Sequence, residues 1–325
     1  MPTRRSFLKQ SGLAAATTLL ANRLSYAQQL TQQNTPAPNT APPQNAIQQM
    51  RATAATTPIK QTKLRDTVFL LQSVGGNIVC QIGPDGKLLI DSGFATAARR
   101  LLQTIEKLDA HAVKLLINTH WHFDHTDGNA VLHDAGAFIL AQENTRLRLS
   151  TAQTIKALNI QVPSAPTSAL PQATFSDREK VYFNNDELDL THAPNAHTDS
   201  DIFIHFVNAN VLHTGDLWFN GMYPMIDDGT GGTINGMIRG VDQCLALADD
   251  KTKIVPGHGP LGDKDALQKY REMLVNIANR IEKLKIAGQT LDQVVAAKPT
   301  ADLDAVWAKG VVKPDLFVTL IYNTL

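Results

Sequence analysis

The sequence is poor in cysteine and has no long apolar run. Its 325 residues contain only two cysteines, Cys80 and Cys244, which are too few for a disulfide scaffold. We expect buried structural thiols, and a single bridge between them stays open. No run of roughly 18 apolar residues occurs, so the sequence predicts no membrane-spanning helix.

The chain also lacks an excess of charge of either sign. Its 30 basic and 30 acidic side chains cancel, and no block of lysine and arginine occurs. Proteins that act on nucleic acid carry a basic patch, so we exclude nucleic acid as a partner. The 43% hydrophobic and 18% charged content is typical of a soluble globular enzyme rather than a disordered or collagen-like chain.

The first 27 residues resemble a twin-arginine export signal. The pair Arg4-Arg5 is followed by a weakly apolar segment over 12–20 and by small residues up to Ala27, the order in which such signals are built. The resemblance implies the twin-arginine export machinery as a partner, cleavage near Ala27 and a periplasmic location. It also implies no stable membrane insertion after cleavage.

Composition divides the chain into three parts: the signal peptide over 1–27, a disordered linker over 28–62, and one folded domain over 63–325 that includes the C-terminal helices. Residues 28–50 carry no charged side chain and no hydrophobic periodicity, as in a flexible tether. From Thr67 onward, short β-branched runs separated by turns predict the start of the core.

Strands and helices alternate in the folded part, which predicts the α/β class. Apolar runs predict strands over 67–71, 78–82 and 87–91, the last two joined by a hairpin turn over 83–86. Helical spacing predicts a helix over 95–108, and a strand follows over 113–118. Residues 151–178 predict an irregular or helical insertion, 264–286 a long amphipathic helix, and the end of the chain two or three short helices.

The segment that follows the strand over 113–118 concentrates metal-binding side chains. His120 and His122 would point to the same side of an extended backbone, and a turn after Phe123 would bring Asp124 and His125 to the same place. Imidazoles with a carboxylate suit zinc or another divalent transition metal better than calcium or magnesium. The motif alone leaves open whether it completes one site or begins two.

Three later segments each place one candidate ligand at the end of a predicted strand. These candidates are His197, Asp216 and His258, and α/β sheets hold their sites at such strand ends. The remaining histidines lack ligand-like spacing, and we expect them on the surface or in packed positions. They are His111, His133, His192, His205 and His213.

Taken in chain order over about residues 64–262, these motifs resemble the metallo-β-lactamase fold superfamily, in which a strand aspartate comes first, here Asp91. The resemblance implies four αββα layers, with the metal site at the strand tips between two sheets. It implies two Zn²⁺ ions, or other divalent transition metals. The ligands would be His120, His122 and His197 for one ion, Asp124, His125 and His258 for the other, and Asp216 for both.

The same resemblance implies hydrolysis of a small-molecule substrate. A hydroxide that bridges the two metals would attack an ester, lactone or amide bond, since two cations lower the pKa of bound water toward ~7. Asp124 and Asp216 are the candidate catalytic proton acceptors. Asp91 would lie behind the ligands and accept an imidazole N–H; the alternative is an exposed aspartate that caps the next helix.

Departures from the superfamily's branches leave alternatives open. Class-B β-lactamases carry Cys or Ser at the position of Asp216, and lactonases often place a Tyr just after it, where this chain has Leu217-Trp218-Phe219. The alternatives are a periplasmic β-lactamase-like enzyme and a non-catalytic accessory protein of a periplasmic oxidation system. The sequence predicts no oligomeric state.

Two segments, 151–178 and 217–234, are expected to control substrate selectivity. Within the second, the glycine-rich stretch over 227–233 predicts a flexible connector. Four aromatic residues beside the ligands either line a substrate pocket or belong to the core. They are Trp121, Phe123, Trp218 and Tyr223.

Overall fold

The computed structural model describes residues 44–325, so the predicted signal peptide and the first part of the predicted linker lie outside the described residues. Two larger sheets and a small hairpin carry the strands. The first sheet has the order β1-β2-β3-β4-β5-β6-β9. Its strands are β1 (Lys60–Lys63), β2 (Val68–Gln72), β3 (Ile78–Gln81), β4 (Lys87–Ile90), β5 (Val113–Ile117), β6 (Phe138–Gln142) and β9 (Ala173–Phe175).

The second sheet has the order β10-β11-β12-β13-β14. Its strands are β10 (Arg178–Phe183), β11 (Asp186–His192), β12 (Ile202–Phe206), β13 (Val211–His213) and β14 (Lys253–Val255). The hairpin of β7 (Gln153–Ile155) and β8 (Ile160–Val162) stands apart from both sheets.

Helices connect and cover the strands. They are α1 (Gln44–Thr56), α2 (Ala95–Glu106), α3 (Phe123–Thr126), α4 (Asn129–Asp134), α5 (Glu143–Ser150), α6 (Ile234–Leu247), α7 (Lys264–Ile286), α8 (Leu291–Ala296), α9 (Asp304–Trp307) and α10 (Pro314–Thr324). Short 3₁₀ turns lie at Lys156–Leu158, Thr167–Ala169, Gly215–Leu217 and Asp228–Thr230. None of the helices within residues 44–325 has the length and apolar character that a bilayer crossing requires.

Three apolar cores separate four layers. Alternation along the strands sends Leu88 and Ile90 of β4 into the core between the two sheets, and Leu89 into the core against α2 and α4, as the two-residue period of a strand requires. On the outer face of the second sheet, Phe203 and Leu212 pack in one cluster with residues of α6 and α7. The layers are therefore αββα, and the predicted fold class is confirmed.

The strand directions bring several loops to one edge. In the first sheet β4, β5, β6 and β9 are parallel. In the second, β11 and β13 both run antiparallel to β12 and hence in the same direction as each other, and β14 is parallel to β13. A hydrogen bond from Ile202 N to Thr119 O, 2.8 Å long, ties the end of β5 to the start of β12. The loops after β5, β11, β13 and β14 therefore meet at the edge between the sheets.

The predicted linker over 28–62 is wrong from Gln44 onward, because α1 and β1 occupy its second half. Ile47 and Ala54 lie on one face of α1 and are buried. Arg51 pairs with Asp127, with 3.0 Å between Nε and Oδ2, and Arg100 donates to the carbonyl groups at the end of the helix. The spacing of Ile47 and Ala54 suits one face of a helix, but the polar residues around them made the segment resemble a linker.

The insertion over 151–178 is irregular but not helical beyond single 3₁₀ turns. It contains the β7-β8 hairpin, and its end returns to the first sheet as β9, which pairs with β6. The other predicted elements lie within two residues of their observed bounds, and the helix over 264–286 matches α7 at both ends.

Candidate metal centre

The signature segment leaves β5 in extended form and then turns. His122 is the last extended residue, with φ −59° and ψ 144°, and α3 begins at Phe123. This change from a two-residue period to a helical turn brings His125 to the same side as His120, with their ring centroids 4.3 Å apart. The turn expected after Phe123 is therefore present.

Loops of the second sheet supply the other three side chains. His197 lies between β11 and β12, Asp216 in the 3₁₀ turn after β13, and His258 in the loop after β14. Glycine is required beside Asp216, because a Cβ atom at Gly257 would lie 1.9 Å from Asp216 Oδ1. The backbone of the two loops can approach this closely only without a side chain at that position.

All seven predicted ligands meet at this edge, in two groups. Within each group the candidate ligand atoms lie within 4.8 Å of one another. The groups are His120, His122, His197 and Asp216, and Asp124, His125 and His258. Asp216 lies between them: Oδ2 is 3.4 Å from His197 Nε2 and 3.3 Å from His258 Nε2, and Oδ1 is 3.2 Å from His125 Nε2.

The side chains present fit a pair of divalent cations. His120 Nε2 is buried without a hydrogen-bond partner among the described residues, and Asp216 Oδ1, although 3.2 Å from His125 Nε2, makes no well-aligned hydrogen bond there. His122 Nδ1 and His197 Nε2 face each other at 2.8 Å, while the other nitrogen of each ring faces an oxygen acceptor, Asp227 Oδ2 or Met225 O. When both neutral rings donate to those oxygens, two lone pairs face each other, and a cation would satisfy both. Nitrogen and carboxylate ligands in this number are typical of zinc.

Electrostatics keep His120, His197 and Asp216 in the forms that bind metals. Burial lowers the pKa of His120 well below its usual range and that of His197 to about 4, so both rings are neutral at pH 7. Burial would raise the pKa of Asp216, but the surrounding imidazoles, led by His258, hold it well below the usual range. His125 differs: burial opposes its protonation, but the carboxylates of Asp216 and Asp91 raise its pKa well above the usual range, so a metal ion would have to displace a proton there.

Asp91 lies behind the ligands and is fully buried. Its Oδ2 accepts from Thr119 Oγ1 at 2.8 Å and faces His125 Nδ1 at 2.7 Å. Thr119 Oγ1 in turn lies 3.0 Å from His120 Nδ1. Asp91 adopts a left-handed φ of 64°, a strained conformation that is retained mainly at functional positions. It does not cap α2, whose N-terminal residue Phe94 has no side-chain cap.

Two further residues contact the ligands and were not identified from the sequence. Asp227 Oδ2 lies 3.2 Å from His122 Nε2, and the Phe219 ring stacks on His258 with centroids 5.1 Å apart. Asp227 is completely buried, so the segment over 227–233 is not the flexible connector that its glycines predicted. The sequence signal was the acidic pair before the glycines, but nothing local indicated its partner.

The aromatic residues beside the motifs are mostly core residues. Trp121, Trp218 and Tyr223 are at most 1% exposed. Trp121 and Phe123 also border a groove of about 280 Å³ between α1 and the insertion. None of the five other histidines joins either candidate group within residues 44–325.

A family model described as the metallo-beta-lactamase superfamily matches residues 74–258, more than half of the chain. The chain belongs to this superfamily. A probable metallo-hydrolase of Methanocaldococcus jannaschii is 27% identical over 58% of this chain and 89% of that protein. A hydroxyacylglutathione hydrolase of Pelagibacter ubique is 26% identical over 58% of this chain and 65% of its own length.

The solved structure of a metallo-β-lactamase from Pontibacter korlensis has the same fold as this chain. Its TM-score is 0.56 at 20% identity, and the match covers 67% of this chain and all of that one. These relatives identify a metal-dependent hydrolase family, and they differ among themselves in substrate.

Proposed function

We propose that this superfamily member is a dinuclear zinc-dependent hydrolase that cleaves an ester, lactone or amide bond in a small molecule. The observation that carries the proposal is the position of Asp216 between two groups of ligands. The first group offers three imidazoles and the second offers two imidazoles with a carboxylate, and Asp216 is the carboxylate that faces both.

His120, His122 and His197 would hold one ion, Asp124, His125 and His258 the other, and Asp216 both. Ions held there would lower the pKa of water toward ~7 and polarise a carbonyl oxygen. Asp124 is the carboxylate that reaches solvent, with its side chain 18% exposed against 3% for Asp216. We therefore assign proton acceptance at the edge of the site to Asp124, with Asp216 as the buried alternative.

The site favours a neutral substrate. Asp124 and Asp216 form ion pairs only with imidazoles among the described residues, and no lysine or arginine stands within the sequence motifs that carry the candidate ligands. Because β-lactams usually carry such a carboxylate, and because Asp216 replaces the Cys or Ser of class-B β-lactamases, we expect esters or lactones to be cleaved faster.

Metal analysis and a substrate panel test the proposal. Purified protein loaded with zinc should contain two ions per chain, and kcat/KM should be highest for an ester or lactone in a panel that also holds β-lactams, thioesters and phosphodiesters. A maximum of one ion per chain would contradict the dinuclear centre. Fast β-lactam cleavage with negligible ester or lactone cleavage would contradict the substrate class.

The second candidate is a non-catalytic accessory protein of a periplasmic oxidation system. A broken ligand set would favour it, whereas here all seven side chains meet. Two ions per chain without turnover of any compound in the panel would favour the accessory role over the hydrolase.

The proposed location is the periplasm, reached through the twin-arginine machinery. This proposal rests on Arg4 and Arg5 and on the small residues before Ala27, which lie outside the described residues.

A further inference from the structure

Asp227 lies in a buried polar contact that the proposed reaction does not use. Its Oδ2 accepts from Thr230 Oγ1 at 2.7 Å and faces His122 Nε2 at 3.2 Å, and its Oδ1 accepts from Gly229 N at 3.2 Å. The carboxylate is completely buried, and a buried carboxylate is costly unless its partners satisfy it. Of these three partners of Asp227, the imidazole of His122 belongs to the candidate metal centre.

His122 is turned in the opposite sense to the other oriented rings. His120, His125 and His197 direct Nδ1 away from the centre, to Thr119 Oγ1, Asp91 Oδ2 and Met225 O. His122 instead directs Nδ1 inward, 2.8 Å from His197 Nε2, and Nε2 outward to Asp227.

This orientation requires a definite tautomer. An imidazole that binds a metal through Nδ1 must carry its proton on Nε2, and the partner at Nε2 decides which nitrogen is free. Without an acceptor at that place, rotation of the ring would direct Nε2 inward and displace the ligand atom. Asp227 is the acceptor in the structure.

The backbone around Asp227 also contacts a second ligand. Asp227 N donates to His197 O at 2.8 Å, and Met225 O faces His197 Nδ1 at 2.7 Å. The segment over 225–230 therefore holds two of the three imidazoles of the first group, His122 through a side chain and His197 through the main chain.

We propose that Asp227 is a positioning residue of the metal centre, which keeps His122 Nδ1 directed at the first ion by accepting the Nε2 proton. The inference rests on the proposed function, since it needs His122 to be a ligand. It assigns the segment over 227–233 a role in metal binding rather than in connection alone.

The test compares metal affinity in four variants, with the affinity of each ion measured by chelator competition. Asp227→Ala should weaken one ion by about 10–100-fold and leave the other unchanged, as expected when the hydrogen-bond partner of a ligand is lost. Asp227→Asn should lose less, because the amide oxygen still accepts from Nε2. Asp228→Asn is the matched control, since the Asp228 side chain has no hydrogen bond among the described residues, and it should match the wild type.

Thr230→Val separates positioning from simple support of the loop. It removes the hydrogen bond from Thr230 to Asp227 and the one that Thr230 accepts from Trp121 Nε1, and it leaves the contact between Asp227 and His122. We expect Thr230→Val to lower the melting temperature of the metal-free protein with a smaller effect on metal affinity than Asp227→Ala. The visible spectrum of the cobalt-loaded protein should change in Asp227→Ala and not in Thr230→Val.

Two outcomes would overturn the inference while the proposed function stands. One is that the Asp227→Ala variant binds each ion as tightly as the wild type does. The other is that Asp227→Ala and Thr230→Val weaken the binding of both ions to the same extent, in proportion to a lower melting temperature. A contact that only supports the loop would give this result. If Asp227→Ala does not fold, Asp227→Asn takes its place, and a loss of affinity that falls equally on both ions overturns the inference. A wild type that binds no ion would overturn the proposed function itself.

Discussion

At the scale of the residue, the site depends on which atom each side chain directs inward. Asp216 is accessible to both ligand groups because Gly257 leaves room for its carboxylate. At Gly76, a Cβ atom would lie 2.2 Å from the His125 ring. Glycines beside the ligands therefore permit the packing of the centre, while Thr119, Asp91 and Asp227 orient its rings.

Replacement of His122 should abolish turnover. His122→Ala removes one of three imidazoles from the first group, and loss of a ligand should cost more than the ~10–100-fold typical of its hydrogen-bond partner. We expect kcat/KM to fall by at least about 100-fold, with one ion per chain in the metal analysis. His111→Ala, an exposed histidine outside both groups, is the control. A fully active His122→Ala protein would contradict the assigned mechanism.

Both cysteines should be unreactive in the folded protein. Cys80 and Cys244 are fully buried and not bonded to each other, and burial raises the pKa of Cys80 to about 12 and that of Cys244 further. Because the thiolate is the reactive form, a thiol reagent at pH 8 should modify neither residue until denaturant is added. Rapid labelling of the native protein would show that one of the two thiols is accessible.

At the scale of the element, strand ends and the helix before the first strand determine how the centre is built. The ends of β5, β13 and β14 and the loop after β11 place one ligand or more each, so register errors in either sheet would separate the two groups. Helix α1 packs against α2, and its Arg51 binds Asp127, two residues after His125. Helix α1 thus supports the segment that carries four of the candidate ligands.

Removal of a buried side chain from α1 should destabilise the whole domain. Ile47 is 5% exposed and packs in the largest core, so Ile47→Ala should lower the free energy of unfolding by about 2–3 kcal/mol. Gln49→Ala on the exposed face should change it by less than about 0.5 kcal/mol. Chemical denaturation of both variants checks this. Equal stability of the two would mean that the linker prediction was correct for this segment.

At the scale of the whole molecule, the four layers hold the site, and the proposed export signal over residues 1–27 concerns where the protein acts. Three cores fix the two sheets against each other and against their helices. The ligands come from both sheets, so the centre cannot form in a partly folded chain. The proposed twin-arginine route carries proteins that are already folded and would meet this requirement.

Loss of the arginine pair should prevent export. With Arg4→Lys and Arg5→Lys together, we expect the protein to stay uncleaved in the cytoplasm, because the pair is the feature that the proposed machinery reads. Fractionation and the N-terminal sequence of the mature chain, expected to begin near Gln28, check this. Replacement of Arg23, outside the pair, is the control. Periplasmic, cleaved protein from the doubly substituted chain would show that another route is used.

The sequence by itself determined the local features of this protein. Short apolar runs predicted β2 to β5, and the helical period predicted α7. The family resemblance carried by the histidine and aspartate motifs implied which seven side chains gather at the strand ends. These predictions succeeded because each depends on residues close together in the chain or on the general rule that parallel strands end at one edge. Metal ligation by the seven side chains stays a prediction.

The tertiary structure decided the contacts between distant residues. Asp227 reaches His122 across 105 positions, Phe219 stacks on His258, and Arg51 pairs with Asp127 across 76 positions. No local pattern specifies such pairs, because a buried carboxylate or a packed helix face is stabilised by whatever the fold brings against it. The same reason explains why α1 was predicted as a linker: its polar sequence forms a helix only where Ile47 and Ala54 can be buried.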